Sequence, residues 1–295
     1  MKWVSYNIQY SKGKDERFDL ERIVTEIAGA DLIALQEVET GTARTGFVDQ
    51  ALAIAERMPD YHWVFGPGID ADASEWQNGK LIRRRRQFGN MVLSRWPIVS
   101  SANHLLPKQA LCGAFHLQRS LLETVINLDG KHLRFCSLHL DHVAPHTRLP
   151  QVQTMLELLH SASSRGATWG GPVDSDFFDQ PAPPMPEAIA FLGDMNFDCH
   201  SDEYQRLAGP MSQHFGRLTP VNGLVDAWVA SGNALDAGVT IGEDGQGKRI
   251  DHCFVSQQLS PALKRMWIDN DAQGSDHQPI WLEWDLAKLQ VLLPN

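Results

Sequence analysis

The sequence predicts an α/β fold, and three observations support this prediction. Apolar runs of strand length, bounded by residues such as Gly, Pro, Asn and Asp, recur along the whole chain. Segments with apolar side chains at helical spacing lie between several of these runs. The 295-residue chain, with 43% hydrophobic and 21% charged residues, has the composition of an ordinary globular protein. Because no internal repeat or linker interrupts it, we expect residues 1–295 to form a single domain.

The first hundred residues predict four strands and two helices. Apolar side chains recur at helical spacing over 19–28, where Asp19 is a suitable N-cap, and over 47–58, which ends before Pro59. A polar loop is expected at 66–79. The predicted strands are the apolar runs 2–8, 32–35, 61–65 and 89–95.

The rest of the chain predicts five more strands and two helices. Asp129 and Gly130 are a strong turn signal, which predicts a hairpin of strands 121–128 and 133–140. Residues 161–187 are rich in Ser, Gly, Pro and Asp, so we expect a long surface loop before the strand that ends at Asp194. The other predicted elements are helices 150–160 and 202–208 and strands 188–194, 249–255 and 280–284.

Charge and cysteine content limit the functional classes. A net charge of −10 disfavours coating of duplex nucleic acid, because Lys and Arg on phosphates supply such binding. A bound cation can invert the local charge, so nucleic acid stays a possible but not favoured substrate. No run approaches the roughly 20 apolar residues of a transmembrane helix, and the first residues do not resemble a signal peptide. We therefore expect no transmembrane segment and a cytoplasmic protein whose cysteines, which lack CxxC spacing, are reduced: Cys112, Cys136, Cys199 and Cys253.

Polar side chains occur where the predicted strands end or begin. Asp194 and Asn196 would point to the same side of an extended chain, the first as a metal ligand or water-orienting anion and the second as an amide for an oxyanion. Taken alone, Gly-Asp-Met-Asn is more typical of an ordinary turn. The whole set is a stronger signal, because strand ends can converge on one rim of a core. It comprises Asn7, Glu37, His139, Asp194, Asn196, Asp251, Asp276 and His277.

Seven short segments carry these residues in a recognisable order. They are Asn7-Ile8, Leu35-Gln36-Glu37-Val38, Gly89-Asn90-Met91-Val92-Leu93-Ser94-Arg95, Ser137-Leu138-His139-Leu140, Gly193-Asp194-Met195-Asn196, Arg249-Ile250-Asp251-His252 and Ser275-Asp276-His277. Together they resemble the endonuclease/exonuclease/phosphatase superfamily, which shares its fold with pancreatic deoxyribonuclease. The resemblance implies a four-layer α/β/β/α sandwich with two packed mixed β-sheets.

The resemblance also implies hydrolysis of phosphate esters with a divalent cation, Mg²⁺ or Mn²⁺. Such a cation prefers oxygen ligands and needs only one or two protein carboxylates. By resemblance, Glu37 would bind the metal, with Asp276 and Asn7 completing the shell directly or through water. Asp194 and Asn196 would hold the nucleophilic water and the phosphoryl oxygens, and Asn7 would also contact the substrate.

The remaining site residues receive their roles from the same resemblance. Asp251 would orient His277, and either Asp194 or His277 would activate the water. His139 would bind the phosphate or protonate the leaving oxygen. Arg119 matches a position where relatives often have arginine, and it is interpreted as a structural or a substrate-binding residue.

Two departures from relatives that cut DNA at abasic sites narrow the substrate class. This chain has Gln9 where they usually have an acidic residue, and His139 where they have tyrosine. The sequence therefore favours a phosphodiesterase or phosphatase acting on a small or lipid-derived ester. The alternatives are an endonuclease or exonuclease on DNA or RNA, and a silent binding module, which the complete residue set disfavours. Arginines 83–86 could form a phosphate clamp or a solvated strand. These arginines and the loop 161–187 are expected to shape specificity. The sequence makes no prediction about oligomeric state.

Overall fold

Two six-stranded mixed β-sheets form the centre of the protein. The computed structural model describes residues 1–171, 181–242 and 247–293. Its strands are β1 (Lys2–Asn7), β2 (Leu32–Thr40), β3 (His62–Asp72), β4 (Glu75–Gln77), β5 (Lys80–Ile82), β6 (Arg85–Ser94), β7 (Ile98–Leu105), β8 (Ser120–Leu128), β9 (Lys131–His139), β10 (Ile189–Asp194), β11 (Met211–Ser212), β12 (Gly216–Arg217), β13 (Leu224–Asp226), β14 (Asp251–Ser256), β15 (Leu263–Ile268) and β16 (Ile280–Trp284). Its helices are α1 (Leu20–Glu26), α2 (Gln50–Arg57), α3 (Pro145–His160), α4 (Ala162–Arg165), α5 (Asp202–Ala208), α6 (Ala227–Ala230) and α7 (Leu286–Leu292), with 3₁₀ turns at Gln9–Ser11, Ala43–Thr45 and Gln257–Ala262.

A parallel strand pair in each sheet ends at polar residues. The strand orders are β15-β16-β1-β2-β6-β3 and β13-β14-β10-β9-β8-β7. β1 runs parallel to β2, with Asn7 opposite Gln36, and β9 runs parallel to β10, with His139 opposite Asp194. β14 is antiparallel to β10, so its first residue, Asp251, also lies opposite Asp194. This register brings strand ends and a strand start together at one rim.

The two sheets pack face to face through a fully buried apolar core. Trp3 and Leu32 from the first sheet share one cluster with Phe135 and Leu192 from the second. The rings of Trp3 and Phe135 meet edge to face, with their centroids 5.4 Å apart. Each fully buried side chain of this size contributes about 2 kcal/mol through removal of apolar area from water.

Helices cover the outer faces of both sheets. On the first sheet, Ile23 of α1 and Ile54 of α2 belong to one buried cluster with strand residues such as Val4. On the second, Met155 of α3 and Tyr204 of α5 lie in another. The prediction of a four-layer α/β/β/α sandwich with two packed mixed sheets is therefore confirmed.

Several elements on the periphery differ from the sequence prediction. The expected polar loop at 66–79 is largely strand, because β3 continues to Asp72 along β6 and the β4–β5 hairpin follows. β7 and β15 at the sheet edges, and helix α7, were not predicted. Edge strands expose much of their surface, so they lack the apolar run that marks a central strand.

The region around the predicted loop 161–187 also contains more helix than expected. Helix α3 begins at Pro145, five residues before the predicted start, with Pro150 inside it. Residues 162–165 form the short helix α4, and residues 172–180 of this loop lie outside the described residues. All four cysteines are free. No helix in the described ranges has the length and apolar character needed to cross a bilayer.

We expect Gly193→Ala to destabilise the protein by about 4 kcal/mol or to prevent folding. Gly193 has φ +153°, and an added Cβ would lie 1.8 Å from the carbonyl oxygen of Leu138 on the neighbouring strand. Gly29→Ala is the matched control: Gly29 also has positive φ, +82°, but a Cβ there meets nothing within 4 Å. Its cost should be about 1 kcal/mol. Urea unfolding of both variants checks the difference, and equal losses would contradict the close contact.

Candidate active site

Polar residues from both sheets meet at one rim of the sandwich. All eight residues of the predicted set contact at least one other member of the set or a common neighbour. Glu37 and Asn196 have left-handed backbones, with φ 59° and 53°, which is unusual for residues other than glycine. In β2 the register shifts between Leu35 and Val38, so Glu37 lies in a bulge. Because of these irregularities, the two side chains do not follow the alternating directions of side chains along a regular strand.

Asp194 is the centre of the cluster. One carboxylate oxygen, Oδ1, accepts from the backbone N–H of Asn196 at 3.0 Å. The other, Oδ2, lies 3.0 Å from Asn7 Nδ2, 3.1 Å from His139 Nε2 and 3.6 Å from His277 Nε2. Burial opposes ionisation, but interactions with His139 and His277 hold the pKa of Asp194 well below its usual range. Asp194 is therefore a buried carboxylate surrounded by donors.

His277 forms a buried pair with Asp251. The distance between His277 Nδ1 and Asp251 Oδ2 is 2.8 Å, a contact that orients the ring. Burial favours the neutral imidazole, yet the charges of Asp251 and Asp194 raise the pKa of His277 to about 10. Burial raises the pKa of Asp251. Nε2 of His277 keeps only long contacts, the shortest of them 3.5 Å to Asn7 Nδ2.

The three predicted metal ligands adopt different orientations. Glu37 is partly exposed, and its Oε1 accepts from Asn7 Nδ2 at 3.3 Å. Asn7 was expected to complete the metal shell directly or through water, and its amide oxygen accepts from the backbone N–H of Gln9 at 3.1 Å. Asp276 accepts from the Gln9 side chain at 2.9 Å. In this arrangement Asn7 orients Glu37 and Asp194.

The donor set at Glu37 and Asp276 fits a hard divalent cation. Desolvation, with a further contribution from the charge of Glu37, raises the pKa of Asp276, which indicates that the two carboxylates repel each other. Within residues 1–171, 181–242 and 247–293, no group of three or more His, Cys, Asp or Glu side chains is arranged to hold a metal. Mg²⁺ does not need such a group, because it binds one or two carboxylates and completes its shell with water and substrate oxygens.

Arg119 is buried, and its side chain lies beside the cluster. Its side chain is 5% exposed, and its two terminal nitrogens lie 3.0 Å from His139 Nδ1 and 3.3 Å from His142 Nδ1. Its Nε has no hydrogen-bond partner in the described structure. Burial lowers the pKa of Arg119.

A cavity of about 460 Å³ opens over the cluster. Its inner end is formed by catalytic candidates, including Asp194 and His277. Its outer walls contain residues that the sequence did not single out: His142, Tyr10, Glu39, Arg44, Phe115 and Leu117. Arg44 stacks on Tyr10 at 3.6 Å and pairs with the buried carboxylate of Glu39 at 2.5 Å. The His-Leu-Asp-His run at 139–142 was the one signal that could have identified His142.

The sequence left two alternatives for the four consecutive arginines, a phosphate clamp or a solvated strand. Arg84 pairs with Glu75 at 2.5 Å and Arg85 with Asp70 at 2.7 Å, both at the solvated surface. The side chain of Arg86 lines the cavity and makes no hydrogen bond or ion pair with any described residue. Of these four arginines, Arg86 alone lines this cavity in the described structure and could meet a ligand there.

Comparisons with known proteins decide the family. The profile of the Endonuclease/Exonuclease/phosphatase family matches residues 4–277. The chain belongs to this family. None of the curated protein sequences compared with the chain matches it significantly.

Solved structures share the endonuclease/exonuclease/phosphatase fold at low sequence identity. The family member from Beutenbergia cavernae has 19% identity and a TM-score of 0.64, covering 96% of this chain and 70% of that one. The mannosyl-6-phosphatase of Bacteroides thetaiotaomicron has 19% identity and a TM-score of 0.63, covering 97% and 99%. A humanized TDP2 of D. rerio has 15% identity and a TM-score of 0.58, covering 97% and 98%. At these identities the likeness establishes the fold alone.

Proposed function

We propose that this protein is a divalent-metal-dependent hydrolase of phosphate esters, acting on a small or lipid-derived substrate. The observation that carries the proposal is the buried Asp194 carboxylate. It accepts from the side-chain amide of Asn7 and the backbone N–H of Asn196, and it lies 3.1 and 3.6 Å from the imidazoles of His139 and His277. A constellation of donors around one anion is suited to holding a phosphoryl group beside a water. Family membership supports phosphate-ester hydrolysis as the reaction class.

Each residue of the cluster has a role that its contacts support. Asp194 can only accept hydrogen bonds, so we assign it to orient the attacking water and take its proton. We assign His277, which Asp251 holds, and the side-chain amides of Asn7 and Asn196 to bind phosphoryl oxygens. These groups stabilise charge that develops on phosphorus-bound oxygens during in-line attack.

The metal-binding role falls to Glu37 and Asp276 in this proposal. A divalent cation bound there would supply Lewis-acid stabilisation of a phosphoryl oxygen. Asn7 holds Glu37 in place through its Nδ2, and Gln9 holds Asp276. Mg²⁺ or Mn²⁺ matches the oxygen-only donors.

The cavity supports a leaving group with an apolar portion. Its outer walls include Ile69, Phe88, Phe115 and Leu117, and the aromatic side chain of Phe115 is 78% exposed. A volume of about 460 Å³ exceeds that of a phosphate group alone and falls in the range of small-molecule sites. The side chain of Arg86, which has no ion-pair partner in the described ranges, is available for a second anionic group of the substrate.

The test is a panel of substrates with Mg²⁺ and with Mn²⁺. It includes 4-nitrophenyl phosphate and bis(4-nitrophenyl) phosphate, sugar phosphates, phospholipids, and supercoiled plasmid. We expect turnover of aryl or lipid esters, lost on chelation with EDTA, without plasmid nicking. We also expect Phe115→Ser to raise KM for the aryl esters several-fold, with kcat nearly unchanged. Plasmid nicking would indicate a nuclease, and inactivity on all substrates would contradict the proposal and favour a binding module.

A further inference from the structure

Arg44 is held in one orientation at the outer wall of the cavity. Its Nε and Nη2 donate to the fully buried carboxylate of Glu39 at 3.0 and 2.5 Å, and the Thr45 hydroxyl donates to the same carboxylate at 2.7 Å. The guanidinium carbon lies 3.6 Å from the centre of the Tyr10 ring. A guanidinium fixed on one edge and one face loses little conformational freedom when it binds a ligand.

The remaining edge of Arg44 is available to a ligand. Its Nη1 makes no hydrogen bond with any described residue. Arg44 and Arg86 line the same cavity, and they come from neighbouring parts of the sheet: the turn that carries Arg44 follows β2, whose last residue, Thr40, lies opposite Gln87. Guanidinium edges match the oxygens of a carboxylate or a phosphate, so the two arginines favour an anionic ligand group.

We propose that Arg44 is a specificity-determining residue that binds a second anionic group of the substrate, apart from the phosphoryl group that is attacked. The proposal rests on the proposed function, because it takes the cluster around Asp194 as the place of hydrolysis. That cluster and Arg44 line one cavity of about 460 Å³, so a single small molecule can contact both. The preferred substrate is therefore a phosphate ester with a carboxylate or a further phosphate at its other end.

Gln50 of α2 fixes the two supports of Arg44 relative to each other. Its buried side chain accepts from the backbone N–H of Glu39 at 3.1 Å and donates to the carbonyl oxygen of Tyr10 at 2.8 Å. Tyr10 is the middle one of three consecutive residues with left-handed backbones, at φ 42°, 45° and 66°. Because such a run is unfavourable without glycine, this turn depends on contacts from outside it. Gln50, which does not itself line the cavity, is therefore a positioning residue for Arg44.

The experiment compares hydrolysis of alkyl monophosphates with hydrolysis of alkane bisphosphates and carboxyalkyl phosphates, in series of increasing and matched chain length. The selectivity ratio is kcat/KM for the ester with two anionic groups divided by kcat/KM for the matched monophosphate. We expect this ratio to reach about tenfold at one chain length, mainly through a lower KM. The larger ratio of the two series identifies the second anion as phosphate or carboxylate. A ratio near one at every length would overturn the proposal.

A paired substitution tests the contact made by Arg44. Glu39→Gln combined with Arg44→Met removes one anion and one cation, so the net charge of the cavity is unchanged and no buried carboxylate is left unpaired. We expect the selectivity ratio to fall to near one, with kcat for the monophosphate nearly unchanged. Arg57→Met is the matched control, because Arg57 pairs with Glu21 at the surface and does not line the cavity. A folded double variant with the wild-type ratio would overturn the proposal.

Gln50→Met tests the positioning role. We expect it to lower the selectivity ratio several-fold, and to lower it no further when it is added to the double variant, because both changes act through the same guanidinium. A residue that only stabilises the fold would slow both classes of ester alike. An unchanged ratio in Gln50→Met, or a further fall in the triple variant, would therefore overturn the role of Gln50.

The failure of the proposed function has a different signature. If no ester of any series is hydrolysed, the proposed function fails, and binding decides the role of Arg44. Isothermal titration calorimetry then compares an alkane bisphosphonate with the matched alkylphosphonate. Tighter binding of the bisphosphonate by the wild-type protein, lost in the double variant, would support the second anion site. Equal affinities for the two compounds in the wild-type protein would overturn it.

Discussion

Replacement of Asp194 by Asn is expected to lower kcat for phosphate-ester hydrolysis by about a thousandfold. The substitution keeps the size of the side chain and removes the negative charge. It also places an amide N–H where Oδ2 now accepts from Asn7 Nδ2 and His139 Nε2, or else where Oδ1 accepts from the Asn196 N–H. Either orientation brings donors against donors. The variant therefore loses both the acceptor for the water and the order of the phosphate-binding groups.

The measurement is steady-state kinetics of Asp194→Asn in saturating Mg²⁺, with thermal unfolding to confirm that the variant is folded. Asp202→Asn is the matched control, because it makes the same chemical change at an exposed position in the first turn of α5. We expect its kcat to equal that of the wild-type protein. A folded Asp194→Asn variant with more than a tenth of wild-type kcat would show that Asp194 does not perform the chemistry.

The sequence predicted that this cluster would converge because Asn7, His139 and Asp194 end buried strands. Glu37 was expected after the end of a strand, whereas it lies in a bulge inside β2. Buried apolar runs mark central strands strongly, and parallel neighbours place their ends together, as with Asn7 beside Gln36 and His139 beside Asp194. Family resemblance supplied their roles. The orientation of an amide does not follow from a strand end. The sequence therefore could not show that the Asn7 amide oxygen accepts from Gln9 while its nitrogen donates to Glu37.

The residues that form the outer half of the cavity could not be predicted from the sequence, for a different reason. Tyr10 and Arg44 belong to short 3₁₀ turns, and Phe115 belongs to an irregular segment between β7 and β8. Such segments have no hydrophobic period, so a sequence pattern cannot show which way their side chains point. Their meeting in one cavity depends on the long-range packing of the two sheets.

The second prediction with a large expected effect concerns the stability of the protein. It is made for Glu123, which lies in the middle of β8, away from the cavity. Its buried carboxylate accepts from both terminal nitrogens of Arg165, at 2.7 and 2.8 Å, and lies 3.2 Å from Arg134 Nη1 and 2.9 Å from His104 Nε2. Arg134 is fully buried, and its other donors bind backbone carbonyl oxygens. Glu123 thus joins the second sheet to helix α4, within the segment expected to be a loop.

We expect Glu123→Gln to lower the free energy of unfolding at pH 7 by about 3–5 kcal/mol, because it leaves the buried charge of Arg134 without a counter-charge. Urea unfolding of the two proteins measures the loss. Glu283→Gln is the matched control: its carboxylate pairs with Arg265 at 2.8 Å at the exposed sheet edge, where a lost ion pair should change stability little. Equal losses in the two variants would contradict the role of burial.

The pH dependence of the Glu123 effect provides an independent check of its charge. Burial opposes ionisation, but the hydrogen bonds from His104 and Arg165 and the charges of Arg165 and Arg134 lower the pKa of Glu123 to about 2, from the usual 4.5. A carboxyl group whose pKa is lower in the folded than in the unfolded state stabilises the protein fully at pH values above its unfolded-state pKa. This stabilisation is lost as the pH falls toward the folded-state pKa. The difference of about 2.5 pKa units corresponds to about 3 kcal/mol. The gap in unfolding free energy between the wild-type and Glu123→Gln proteins should therefore be constant from pH 7 to pH 5 and narrow progressively below pH 4.5. A gap that stayed constant down to pH 3 would show that lost packing, rather than lost charge, causes the destabilisation.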